Sequence, residues 1–136
     1  MMTVVIGLFV IGLLSSIPTS FSQSTEVTTI TSINDEISLE TTITTMSIPI
    51  DNTLPWGSVH GMIVDPAERY PVIIKFFKGE DTIHVAQVDV KGDGSYEYKF
   101  RVRSVDDGKV TNIFEGDYEV RIFKVINTPK NNLDSI

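Results

Sequence analysis

"VKGDGSYEYKFRVR", residues 90 to 103, decides the fold because it joins a turn to a strictly alternating run. From Tyr96 to Arg103, large apolar side chains share one parity and charged side chains occupy the other. A strand with one apolar and one charged side is typical of an antiparallel sheet that has one face on a core and one in water. The stretch therefore predicts such a strand, with its inward side made by Tyr96, Tyr98, Phe100 and Val102.

The turn in this stretch admits two interpretations. If Asp89 began a calcium loop, Lys91 and Phe100 would stand where the loop needs oxygen ligands, so the match fails. Asp93 and Gly94, in contrast, both tolerate the positive φ of a type I′ turn between two strands. We therefore predict that Asp93–Gly94 is a structural hairpin turn.

Alternating or β-branched segments continue on both sides of this stretch, at 57–65, 71–78, 82–90, 110–114 and 117–126. The alternation changes phase within 82–90, which predicts a β-bulge near Ala86–Gln87. No segment after residue 22 has a helical stripe, and Gly, Asp and Pro punctuate the strands. The prediction is an all-β protein, a small antiparallel β-sandwich of about six to seven strands over 56–128, followed by a flexible tail at 129–136.

The segment "EGDYEV", residues 115 to 120, resembles the tyrosine corner of immunoglobulin-like sandwiches through Gly116, Tyr118 and Val120. Together with 71–100, it is similar to the small Ig-like modules of archaeal and bacterial secreted and cell-surface proteins. The resemblance implies an Ig-like sandwich, a structural role for the Tyr118 hydroxyl and a cell-surface location, but no specific ligand. The usual central Trp is missing, because Trp56 precedes the first predicted strand.

The first 22 residues carry no charged side chain and contain an apolar run, Val4–Leu14, followed by small residues. This pattern predicts an export signal cleaved before Gln23, although no Lys or Arg precedes the apolar run. The alternative is an uncleaved membrane anchor, but the run is shorter than the roughly 20 residues that a span needs. The predicted location is extracellular or at the cell surface.

Residues 23–55 differ in composition from the rest of the chain. They are rich in Thr and Ser, and residues 23 to 56 hold five acids and no base. A solvated, low-complexity linker explains this composition. The alternation of β-branched residues over Ile37–Thr45 instead indicates a strand that pairs with a sheet. Both alternatives stay open at this point.

Net charge and the absence of Cys limit the function classes. The formal charge is −7, and no Cys is present. Disulfides, thiol nucleophiles and a Cys-held zinc are therefore excluded. Nucleic acid and anionic membrane surfaces need concentrated positive charge, so neither is an expected partner, and membrane contact is expected only through an uncleaved N-terminal segment.

Candidate metal ligands are sparse, and no cofactor is predicted. The chain has two histidines, His60 and His84, and the acidic turns contribute Asp106, Asp107 and Asp117. Half-exposed strand positions and ordinary turn chemistry explain these residues as well as metal binding does. No phosphate loop, nucleophile elbow or zinc-protease motif occurs, so we expect no enzyme activity.

Three functions are compatible with these features. The first is an exported, non-enzymatic Ig-like module acting in cell-surface structure, adhesion or binding of other surface proteins or glycans. The second is a fibre or homo-oligomer subunit that assembles by strand addition of the 37–50 arm. The third is a binding module dependent on calcium or a transition metal.

Overall fold

The structure, a computed structural model, describes residues 10–13 and 26–129; the described chain is all-β, and its sheets are antiparallel. Its ten strands are β1 (Val10–Leu13), β2 (Val27–Ser32), β3 (Ile37–Ile48), β4 (Trp56–Met62), β5 (Val72–Lys78), β6 (Asp81–Val88), β7 (Ser95–Arg101), β8 (Arg103–Asp106), β9 (Lys109–Asn112) and β10 (Gly116–Asn127).

The strands form two main sheets and one small hairpin. The larger sheet has the order β2-β3-β10-β5-β6, and the smaller has the order β1-β4-β7. β8 and β9 pair only with each other among the described residues. The predicted central position of the "PVIIKFFK" strand is confirmed, because β5 lies between β10 and β6.

Residues from both main sheets share one core, so the sheets pack face to face. In the larger sheet, the inward side chains include Ile74, Phe76 and Ile122, all fully buried. The smaller sheet faces them with Val59 and Phe100, and the Phe76 and Phe100 rings meet edge-on with centroids 5.1 Å apart. The predicted inward parity is confirmed, since the buried residues include Tyr96, Phe100, Val102, Tyr118, Val120 and Ile122.

The sheet begins well before residue 56. β3 pairs with β10 along its whole length, from Ile37 opposite Asn127 to Ile48 opposite Gly116. Met46 and Ile48 point into the core and are almost fully buried. The larger sheet therefore includes most of the segment whose composition resembles a linker.

Polar side chains also point inward from this part of the sheet. Ser38, Thr42 and Thr44 of β3 are buried, and so is Lys124 of β10. The Lys124 ammonium donates a hydrogen bond of 2.8 Å to Thr42 Oγ1 and lies 3.6 Å from Glu40 Oε1. A buried cation is stable only with such partners. The Thr42 hydroxyl and the Glu40 carboxylate therefore explain why Lys124 is tolerated in the core.

The turn at Asp93–Gly94 differs from the predicted hairpin. Gly94 has φ of 91°, but Asp93 does not have positive φ, so the turn is not type I′. The Gly94 N–H donates to Lys91 O and the Ser95 N–H donates to Asp93 Oδ1, which closes a longer turn. β6 and β7 belong to different sheets, so this turn carries the chain across the sandwich.

A two-residue hairpin turn lies instead at Asp107–Gly108. Asp106 pairs with Lys109, and both residues between them have positive φ, 52° and 79°. Positive φ at both central residues defines a type I′ turn, so "SVDDGK" is a hairpin and not an irregular loop.

The predicted bulge also occurs at a different place. The register between β5 and β6 shifts at Phe76/Phe77, where Phe76 is opposite His84 and Phe77 is opposite Thr82. The extra residue is therefore Ile83, and the prediction of Ala86–Gln87 is wrong. Consequently His84 and Ala86 face inward, while Ile83 is 44% exposed.

The predicted export signal, residues 1–22, and the predicted tail, 129–136, lie mostly outside the described residues. Within the first of these segments, Val10–Leu13 forms β1 and pairs with β4 from His60 to Gly57. Within the second, the structure describes Pro129 alone.

Removal of β3 should destroy the fold, whereas removal of β2 should not. A chain that starts at Asp51 loses the buried Met46 and Ile48 and leaves one side of β10 without a partner. Each lost core side chain is worth about 2–5 kcal/mol, so we expect no cooperative unfolding transition in urea. The control is a chain that starts at Asn34, which lacks β1 and β2 as the first chain does but keeps β3. The β2 positions that it loses are exposed, so it should be clearly more stable than the chain that starts at Asp51. Equal urea midpoints for the two chains would contradict the importance of β3.

Tyr96 should make the protein sensitive to alkali. Burial raises the pKa of its hydroxyl above the ordinary value of 10.0, and the carboxylates of Glu40 and Glu26 add to the rise. The unfolded chain therefore loses this proton at a lower pH than the folded chain does. The stabilisation is complete below pH 10.0 and is lost progressively as the pH rises above it.

The measurement is the free energy of unfolding in urea from neutral pH to about pH 11. Tyr96→Phe should show a smaller loss at high pH than the unmodified protein. The lowered pKa of the buried Lys124 has the opposite effect, but it is common to both proteins and does not affect the comparison. Identical pH profiles would show that Tyr96 ionises at the same pH in both states.

Candidate functional site

An open groove lies at the end of the sandwich where β6 begins and β7 ends. It encloses about 650 Å³, within the usual range for ligand sites. The turn that joins β6 to β7 lies at the opposite ends of these two strands. The residues that line the groove are Trp56, Lys78, Ile83, His84, Tyr98, Lys99, Phe100, Arg101, Ile113, Phe114 and Tyr118.

The floor of the groove is a packed set of rings. Phe114 meets Phe100 edge-on at 5.2 Å and Tyr118 at 5.3 Å. A hydrogen bond of 2.6 Å joins His84 Nε2 of β6 to Tyr98 Oη of β7. Burial raises the pKa of the Tyr98 hydroxyl, so the phenol is neutral at physiological pH. The floor is therefore apolar, with one internally bonded polar pair.

Three cations surround this floor. The Arg101 guanidinium lies 4.8 Å from the Trp56 ring centre, and the two residues are direct cross-strand partners. The Lys78 ammonium lies 4.4 Å from the Tyr118 ring centre and donates to the Glu115 carbonyl oxygen at 2.6 Å. Lys99 is exposed on the same strand as Arg101.

No carboxylate balances these cations among the described residues. The two ion pairs within residues 26–129 are Arg121–Glu119 and Lys124–Glu40, and neither lies in the groove lining. A second groove, at residues 66–71 and 87–92, mixes Glu68 and Asp89 with its basic residues. The aromatic groove is thus positively charged on a chain whose net charge is −7.

Tyr118 bonds to the loop that precedes β10. Its hydroxyl oxygen accepts a hydrogen bond of 2.6 Å from the Glu115 N–H, and Gly116 between them has φ of 92°. The ring is buried against Phe114. The bond fixes the loop that enters β10 and thereby one wall of the groove.

The metal candidates named from the sequence do not form a cluster. His60 lies on β4, where its Nδ1 is 3.4 Å from Ser58 Oγ, whereas His84 belongs to β6 in the other sheet. Asp106 and Asp107 lie at the β8–β9 turn, and Asp117 accepts a hydrogen bond from Ser47. Among the described residues, no three His, Cys, Asp or Glu side chains are placed to hold one metal ion.

Comparisons with protein-family models, with curated proteins and with solved structures give no match for this chain. In the part of the chain that the structure describes, no helix is long and apolar enough to cross a bilayer.

Sequence reasoning missed the groove. The sequence pattern places Lys99 and Arg101 only on the solvent side of an alternating strand, and it places Trp56 before the first predicted strand. Trp56 is in fact the first residue of β4 and is 41% exposed. The one available signal was an exposed aromatic residue next to a basic strand, but only the sheet register places Arg101 beside it.

Loss of the Tyr118 hydroxyl should lower stability modestly. Tyr118→Phe leaves the Glu115 N–H without its partner, and we expect the free energy of unfolding to fall by about 1 kcal/mol in urea titrations. The matched control is Tyr70→Phe, since Tyr70 is 45% exposed and has no hydrogen bond through its hydroxyl among the described residues. A Tyr118→Phe protein as stable as the Tyr70→Phe protein would show that the bond contributes nothing.

Proposed function

We propose that the chain is an exported, non-enzymatic Ig-like module that binds another molecule at the cell surface. The observation that carries the proposal is the aromatic groove with its unpaired cations. The export-signal composition of residues 1–22 and the Tyr118 corner support the surface location and the Ig-like assignment. Surface proteins and glycans are the candidate partners.

The exposed apolar surface at the groove favours binding. Trp56, Ile83 and Ile113 are 41%, 44% and 47% exposed, and all three line the same groove. Exposed large apolar side chains are unremarkable singly, but a group of them around one concavity marks an interaction site. A bound partner would remove this surface from water, and each buried Å² contributes roughly 25 cal/mol.

The groove is also preorganised for binding. Its floor is made by side chains that belong to the core, including Phe100 and Phe114, which are 4% and 5% exposed. Such residues have fixed rotamers, so little conformational entropy is lost when a ligand arrives. Arg and Trp at the rim are the residue types that most often dominate binding energy.

Assembly through the 37–50 arm has less support. β10 uses the backbone groups of β3 along its whole length on one side, and β2 uses those on the other side from Ser38 to Ile43. Transfer of the whole strand to another copy would first require its release from β10, so assembly of that kind would be a strand exchange. The metal-dependent alternative has no cluster of ligands to rest on in the described part of the chain.

Trp56→Ala should weaken binding to the cell surface. The test incubates labelled protein with intact source cells and measures bound label against concentration. Truncation of a residue that dominates binding energy typically costs about 2 kcal/mol or more, so we expect an affinity loss of about thirtyfold. Circular dichroism would verify that the variant remains folded.

The matched control is Tyr70→Ala, which removes a similarly exposed aromatic residue outside the aromatic groove. It should bind as the unmodified protein does. Equal binding by the Trp56→Ala protein would overturn the proposal, because the groove would then have no part in attachment.

A further inference from the structure

The groove runs along the backbone of an unpaired strand edge. β7 is hydrogen-bonded to β4 on one side, and no described strand lies on its other side. Four consecutive residues of β7, Tyr98 to Arg101, line the groove. Consecutive residues point to opposite faces of a sheet, so a surface that touches all four must include the strand edge itself. The free N–H and C=O groups of β7 therefore face the groove.

The two faces of this edge present different chemistry. On the outer face, Lys99 and Arg101 follow each other at the spacing of one strand repeat, and both are exposed. On the inner face, Tyr98 and Phe100 continue into the ring floor around Phe114. A strand laid along this edge would have one side opposite cations and the other side opposite aromatic rings.

We propose that the free edge of β7 binds an extended acidic peptide segment of a partner protein, which joins the smaller sheet as an additional strand. Backbone hydrogen bonds to β7 hold the segment. Its Asp or Glu side chains stand opposite Lys99 and Arg101, where opposite charges on facing strands attract. Its alternate, apolar side chains pack against the aromatic rings of the groove floor. This inference rests on the proposed function and names the class of ligand.

A peptide fits these features better than a glycan does. The backbone donors and acceptors along a strand edge match those of a second peptide backbone in spacing, and a sugar chain has no backbone amides to complete such a ladder. The absence of carboxylates from the lining, together with three cations, specifies the charge of the peptide. Basic or neutral strands would leave these cations without partners.

The test selects peptides from a random library displayed on phage, using the immobilised protein and the Trp56→Ala and Lys99→Glu variants in parallel. Enriched sequences are then synthesised, and their affinity is measured by fluorescence anisotropy. A second synthesis places N-methyl groups at alternate backbone nitrogens, which removes hydrogen-bond donors and keeps the side chains. Lys99 is exposed, so its replacement should leave the fold intact, and circular dichroism checks this.

We expect enriched peptides that alternate acidic with large apolar residues. Lys99→Glu and N-methylation on the paired side should each weaken them at least about tenfold, and added salt should weaken them further. The Lys99→Glu variant should instead enrich peptides that carry a basic residue. These three results together would establish strand addition to an acidic segment.

Several outcomes would overturn this inference while leaving the proposed function in place. One is enrichment of peptides that depend on Trp56 but are not acidic or are insensitive to N-methylation. Another is that no peptide is enriched, while the protein is retarded in gels that contain polygalacturonate and the Trp56→Ala variant is not. That result would indicate that the ligand is an acidic glycan. Peptides that bind Trp56→Ala and the unmodified protein equally, with no retardation by polygalacturonate, would instead count against the groove and thus against both proposals.

Discussion

The ring of Phe76 holds the two sheets together. It is fully buried in the larger sheet and contacts Phe100 of the smaller sheet and Phe114 of the connecting segment. Because aromatic pairs of this geometry add to the burial of their apolar area, the contact fixes both the spacing of the sheets and the floor of the groove. His84 and Tyr98 stand at the edge of the same ring cluster. The stability of the core and the shape of the candidate site therefore depend on one set of side chains.

The strands with clean alternation could be predicted from the sequence, and the reason is physical. In β7, and in β10 from Tyr118 to Ile122, one parity carries Tyr, Phe, Val or Ile, so burial selects the face without help from distant residues. The resemblance to the tyrosine corner implies a structural role for the Tyr118 hydroxyl, and the hydrogen bond that it makes is local, since its partner Glu115 lies only three residues away. Local signals were sufficient wherever the deciding contact was local.

β3 shows why other parts were ambiguous. Its inward side carries Ser38, Thr42 and Thr44, a composition that resembles a solvated linker. The Thr42 hydroxyl accepts a hydrogen bond from Lys124, 82 positions away in the chain, and the Ser38 hydroxyl is bonded to that of Thr128, 90 positions away. Asp93–Gly94 and Asp107–Gly108 make the same point for turns. The dipeptides are identical, but the first connects two sheets and the second closes a hairpin, and only the pairing of distant strands distinguishes them.

The position of β10 has a consequence for how the chain acquires its structure. The last strand of the described chain lies in the middle of the larger sheet, with β3 on one side and β5 on the other. During synthesis β3 and β5 must wait for β10, since neither neighbour can complete its ladder earlier. Long-range pairing of this kind slows folding, because the entropy of closing a large loop is lost before the contacts form. The larger sheet of a ribosome-bound chain should therefore stay open and accessible to chaperones until β10 has emerged.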